Sequence, residues 1–308
     1  MTPSSSADLI TAGGPPVPVV DAHTHLFPEE VQRDRAPFLL RDSWFRALYE
    51  SPKVKCVPPE QMIESMDVAG FYASIVCGWP WQDQALCRLH NDYHAEVARR
   101  YPGRLPWLGI VNPLQPSAVE EVRRAVELGA VGIGELNADA QGFDWRETEQ
   151  LAPVADACIA FDVPLMVHAS EPVGHDYLGK GTATPEKLLA FIAAFPELRI
   201  VAAHWGGGLP FYELMPEVAA QTRNVFYDSA ASTYLYDFSV FPIVQKLVGE
   251  GKILFGTDYP LLSQQRFLRR VRESGLPLED LSPLLAANAA DVYGLDIPLG
   301  KPSEAVFS

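Results

Sequence analysis

Short runs of apolar residues alternate along the chain with longer stretches in which apolar positions recur at helical spacing. The runs, each fit for a buried strand, are Val17–Ala22, Ala73–Cys77, Leu105–Val111, Ala130–Glu135, Val163–His168, Arg199–His204, Asn224–Asp228 and Lys252–Thr257. Between them the helical pattern covers Pro59–Ala69, Gln84–Arg100, Pro116–Leu128, Trp145–Phe161, Pro185–Phe195, Leu209–Gln221, Ser239–Gly249 and Ser263–Ser274. Strands and helices in strict order predict an α/β fold, a closed (β/α)8 barrel in a single domain. The runs lack the polar alternation of a half-exposed sheet, as expected of strands covered on both faces. A doubly wound open sheet is the alternative. It needs a glycine-rich phosphate turn after an early strand, and no G-x-G-x-x-G occurs there.

Residues outside the alternation set the boundaries. Residues 1–16, rich in Ser, Gly and Pro, read as a flexible arm, 17–295 as the barrel and 296–308 as a tail. Leu281–Leu295 reads as a short closing helix. Residues 29–58 are an insertion after the first strand, containing Phe38, Trp44, Phe45 and Tyr49. It is either a packed excursion with its own apolar cluster or a lid, because it leaves the strand end where barrel active sites lie.

Composition narrows the function. The 308 residues carry 39 acidic and 24 basic side chains, a formal charge of −15, which argues against nucleic acid or an anionic membrane surface as partner. Hydrophobic residues at 48% and charged residues at 20% exclude a mainly disordered chain. Cys56, Cys77, Cys87 and Cys158 form no C-x-x-C pair, so reduced thiols are expected. With no signal-like N-terminus and no run of about 20 apolar residues, the expectation is a cytoplasmic protein acting on a small molecule. Homo-oligomerisation is compatible with such a chain.

The chemistry lies at the strand ends. Strand one ends Asp21-Ala22-His23-Thr24-His25; residues two apart in an extended chain share a side, so His23 and His25 converge on one ion. Strands four, five, six and eight supply Glu135, His168, His204 and Asp258. Any one of these is more simply a hydrogen-bonded structural residue. Six at five strand ends predict a divalent metal centre, with zinc the preferred ion and manganese or iron as substitutes. His90 and His94, spaced i, i+4 without a third partner, read as surface or packing residues.

Asp-Ala-His-Thr-His (21–25), Val-His (167–168), Ala-His-Trp-Gly-Gly-Gly (203–208) and Phe-Gly-Thr-Asp-Tyr-Pro (255–260) together resemble the amidohydrolase superfamily. The resemblance is strongest to its amidohydrolase-2 branch, which includes aminocarboxymuconate-semialdehyde decarboxylase. It implies His23, His25, His168 and Asp258 as metal ligands, and His204 as a second-metal or substrate residue. Glu135 departs from the decarboxylase-like pattern, and its Gly-Glu context is similar to hydrolases such as the TatD-like DNases, where that Glu bridges two metals.

The leading expectation is therefore a hydrolase with one or two ions, cleaving an amide, lactone or ester bond with metal-activated water. In it Asp258 moves the proton, and His204 polarises the carbonyl or holds the second ion. Asp21 either orients a histidine ring or bonds to backbone. The runner-up is a non-oxidative decarboxylase of an aromatic or unsaturated acid. A catalytically silent barrel would show a degraded ligand set, and all six candidates are present. Substrate contacts are expected from His175, Tyr177 and Lys180 in the loop after strand five, and from Trp205, against a solvated turn and plain packing as the simpler readings.

Overall fold

The computed structural model describes residues 18–277 and 281–298. The expected arm (1–16) and the tail from 299 onward lie outside them. Eight parallel strands run in chain order: β1 (Val20–His25), β2 (Ala73–Cys77), β3 (Leu108–Gly109), β4 (Gly132–Leu136), β5 (Leu165–Val167), β6 (Ile200–Ala202), β7 (Val225–Asp228) and β8 (Ile253–Leu254). Ladders join β1 to β2 and β3 through β8 in order. Bridges Val76–Trp107 and Thr24–Tyr259 close the two gaps, with Ala22 N–H donating to Phe255 O at 2.7 Å. The ring is a (β/α)8 barrel, as the alternation predicts.

Two layers of core follow from strand alternation. Val20, Ala22, Cys77, Met166, Val201, Ala203 and Leu254 fill the barrel interior. Their neighbours Ile133, Leu165, Ile200, Tyr227 and Phe255 face outward against the helices. At the end opposite the catalytic rim, Ala286, Ala289, Ala290 and Tyr293 pack onto the interior layer. They come from a π-helical turn, Pro283–Ala287, that runs into the helix Asn288–Tyr293.

Some elements differ from the pattern. The helix expected over Leu209–Gln221 begins only at Pro216. Residues His204 to Gly208 hold five successive positive φ angles, and Pro210 follows, so no right-handed helix can propagate there. Strands β3 and β8 pair over two residues each, because their chain leaves the ladder early toward the rim.

The insertion forms three short helices, Glu29–Arg33, Ala36–Arg41 and Ser43–Tyr49. Asp42 caps the third through Phe45 N–H at 2.7 Å and accepts from Gln82 N–H at 3.2 Å, tying the insertion to the loop after β2. Phe45 stacks on Tyr49 at 4.8 Å, and Tyr49 meets Trp79 edge-on at 5.1 Å. The segment is packed on its own aromatic cluster, and Trp44, Leu48 and Tyr49 line the cavity at the catalytic face. Among the described residues no helix is long and apolar enough to cross a membrane.

Candidate metal centre and active site

Local irregularities aim the ligand-type side chains inward. The β1–β2 register shifts between Asp21 and Thr24. The shift carries His23 and His25 to the side that Val20 and Ala22 occupy, where plain alternation would place Thr24. A second shift, between Ile133 and Leu136, does the same for Glu135. Gly134 makes it feasible: its φ is +128°, and a Cβ there would lie 2.3 Å from the Met166 carbonyl oxygen. Asp258 also sits at positive φ, +67°.

The carboxylate of Glu135 lies among the imidazoles. Its Oε1 is 2.7 Å from His168 Nδ1 and 3.2 Å from His204 Nε2. Its Oε2 is 3.5 Å from His23 Nε2 and 3.9 Å from His25 Nε2. Asp258 Oδ1 lies 3.3 Å from His25 Nε2 and 4.0 Å from His23 Nε2, and the two Nε2 atoms are 3.2 Å apart. Two donor groups result, His23–His25–Asp258 and His23–Glu135–His204, each with its atoms within 4.8 Å of one another. His168 stands a step out, reaching the cradle through Glu135 while its Nε2 faces Gly179 O at 3.2 Å.

Electrostatics supports a cation here. Burial pushes the Glu135 carboxyl up, but His168 and His23 overcome that and hold it well below the usual range. Burial opposes ionisation of Asp258 as well, and the His25 bond with the charge of His23 brings it down to about 2. For His204 burial lowers the pKa, while the bond to Glu135 raises it to about 9. Among the described residues only histidines form ion pairs with Glu135 and Asp258; no Lys or Arg does. A buried and a partly buried carboxylate ringed by imidazole nitrogens are a donor set that fits a divalent cation.

Several expected roles fall to other residues. Asp21 orients no ring. It accepts from Thr257 N–H and Oγ1 (2.9 and 2.6 Å) and from Gln264 Nε2 (2.9 Å), which locks β1 to the start of the Asp258 turn. Burial raises its pKa to about 6 despite these bonds. The carboxylate on His23 is instead Asp228, at the end of β7, 2.8 Å from Nδ1.

Lys180, expected at the substrate, donates to the carbonyls of Val173 (3.2 Å) and His175 (3.1 Å) in its own loop. Trp205, also expected there, is fully buried and donates to Ser232 Oγ at 2.8 Å, so it packs behind the site. His90 and His94 are buried packing residues, both bonded to Leu26 O, and not surface residues.

The cradle opens into a cavity of about 680 Å3, within the ~300–1,000 Å3 of small-molecule sites. Its floor holds His25, Glu135, His168, His204 and Asp258, and His175 and Tyr177 are among its lining residues. Trp44, Leu48 and Tyr49 of the insertion, Trp79, Tyr234 and Leu261 line it as well, and Leu48 and Tyr177 both come up against Gly179. Trp44 and Tyr49 belong to the insertion that one reading of the sequence puts over this face, whereas apolar periodicity flags Leu48 and Leu261 only as core.

A family model described as amidohydrolase matches residues 20–295. The chain is 25% identical over 245 residues to 2-amino-3-carboxymuconate-6-semialdehyde decarboxylase of Dictyostelium discoideum, covering 68% of this chain and 67% of that one. It is 26% identical over 282 residues to gamma-resorcylate decarboxylase of Rhizobium radiobacter, covering 77% and 86%. Among solved structures, 5-carboxyvanillate decarboxylase from Novosphingobium aromaticivorans, complexed with manganese and 4-hydroxy-3-methoxy-5-nitrobenzoic acid, superposes with a TM-score of 0.77 at 20% identity, covering 95% of this chain and all of that one.

These comparisons correct two expectations. The hydrolase reading, which leaned on Glu135 as a bridging ligand, gives way: these relatives are decarboxylases, the chemistry that stood second. The preference for zinc has no support among them, and the solved relative carries manganese. Barrel, rim cradle and a family match over nearly all the described residues agree: the chain belongs to the amidohydrolase family.

Proposed function

We infer that the protein is a metal-dependent, non-oxidative decarboxylase of an aromatic or unsaturated carboxylic acid. The observation that carries this is a histidine–carboxylate cradle at the floor of an aromatic-walled cavity, in a chain similar over most of its length to curated decarboxylases.

His23, His25 and Asp258 would hold the divalent ion, with Glu135, His168 and His204 completing the cradle. Bound there, it supplies the positive charge that fixes an anionic substrate. Manganese, present in the solved relative, is the first ion to test. Trp44, Tyr49 and Trp79 hold the flat body of the acid, and His175 and Tyr177 bound it from the loop after β5.

The chemistry requires one carbon–carbon bond to break with its electron pair left on the substrate carbon. Carbon dioxide departs, and that carbon takes one proton, so acid and proton balance product and gas. Asp258, which faces both cradle and cavity, relays to carbon a proton drawn from the His204 ring, which Glu135 keeps protonated and which orients the reacting carboxylate. Water exclusion by the aromatic wall keeps the carbon centre from competing reactions.

The test is a panel of carboxylated aromatics and unsaturated diacids with Mn2+-loaded protein, scored for carbon dioxide release and the decarboxylated product. Asp258→Asn should lower turnover by ~10²–10⁴-fold. Consumption of water with no carbon dioxide would overturn the reading.

A further inference from the structure

Asp228 is fully buried at the end of β7, and its two oxygens serve two parts of the cradle. Oδ2 lies 2.8 Å from His23 Nδ1. Oδ1 accepts from His204 N–H at 2.9 Å and from Ala230 N–H at 3.0 Å. Nothing else among the described ion pairs touches this carboxylate, so His23 is its one charge-bearing partner.

The two contacts have separate consequences. A neutral ring that donates Nδ1–H to a carboxylate carries its one proton there, and so presents a bare Nε2 lone pair to an ion. Nε2 of His23 is the atom facing His25, Glu135 and Asp258. On the other side, His204 begins the left-handed turn, with φ +57° at both His204 and Trp205. Residues bearing a Cβ keep that conformation only where surrounding contacts impose it. The Oδ1 bond to His204 N–H is one such contact, and Gly207, whose Cβ would lie 2.4 Å from the Ser170 carbonyl oxygen, packs the turn from the far side.

We propose that Asp228 is a positioning residue that couples metal capture by His23 to the placement of His204, without being a ligand itself. The proposal rests on the reading of His23 as a ligand. One carboxylate then sets both the lone-pair direction of a ligand ring and the backbone of the histidine across the cradle.

Asp228→Asn separates the two contacts. Its amide oxygen still accepts from His204 and Ala230, while its NH2 group now faces His23 Nδ1. The ring must turn a lone pair to that donor and carry its proton on Nε2, where the ion belongs. Turning the amide over instead sets its NH2 against two N–H donors. Mn2+ affinity, measured by titration of the metal-free protein, should fall ~10–100-fold, with the far-ultraviolet circular dichroism of the metal-free protein unchanged.

His23→Gln serves as the control. If His23→Gln leaves Mn2+ affinity intact, the ligand reading fails. If it abolishes affinity while Asp228→Asn keeps the parental value, the positioning role alone fails. The unmutated metal-free protein gives a second readout that needs no variant. Nitrogen-15 spectra at a pH high enough for the His23 ring to be neutral should show its one proton at Nδ1, low-field and hydrogen-bonded, and a neutral ring protonated on Nε2 instead overturns the proposal.

Discussion

His90 and His94 show how single buried side chains support the site from behind. Trp81 Nε1–H donates to His90 Nδ1 at 2.9 Å, so the His90 proton sits on Nε2 and goes to Leu26 O at 2.7 Å. His94 Nε2 reaches the same oxygen at 3.2 Å, one residue beyond His25. Burial keeps both rings neutral, lowering His94 to about 4. A base whose folded pKa is depressed takes up its proton only on unfolding, so stability is lost as pH falls from about 6.5 toward 4. Between pH 7 and 5 His94 alone should cost about 2 kcal/mol. His94→Gln, which keeps a donor but does not titrate, should flatten that part of the slope, read from urea midpoints of parent and variant at the two pH values. Residue types explain why the cradle was legible and its support was not: imidazoles and acids at strand ends announce a ligand set by their chemistry. The partner of His23, by contrast, lies 205 positions away in sequence, at the end of another strand.

At the scale of elements, apolar periodicity located all eight strands but not the features that aim side chains into the cradle. A register shift leaves the composition of a strand unchanged, so neither the one ahead of His25 nor the one at Glu135 shows in the hydrophobic pattern. The turn after β6 is a further case. Its three glycines signal a loop, yet Leu209–Gln221 retains helical spacing, and the left-handed run displaces the helix start to Pro216. Gly207→Ala tests the demand on this turn. A methyl group 2.4 Å from the Ser170 carbonyl oxygen, at φ +62°, should cost ~1–3 kcal/mol of stability and displace His204, lowering turnover more than it raises KM. Denaturant midpoints and steady-state kinetics of the variant check both parts.

For the molecule as a whole, a bound divalent ion would add to stability by mass action, because the donor set comes together only when strands from around the ring are in place. At a free Mn2+ concentration of 100 times Kd, the gain is about 2.7 kcal/mol. Chelation should lower the melting temperature, and readdition of Mn2+ should restore it; the two melts coinciding would speak against a folding-linked ion. The global architecture was the most legible level, since eight repeats of one strand–helix pattern admit few closed arrangements. Residues 29–58 were legible only as two alternatives, a packed excursion or a lid, because the placement of their aromatic side chains depends on tertiary contact with Trp79 and Trp81.

The helix that ends in Tyr293 corks the far end of the barrel. Among the described residues the cavity lies at the other end, where Leu178, Tyr234 and Leu261 line it. Under the proposed reaction an acid arriving, its decarboxylated remnant and a molecule of gas share that one space, so each cycle empties it before the next begins.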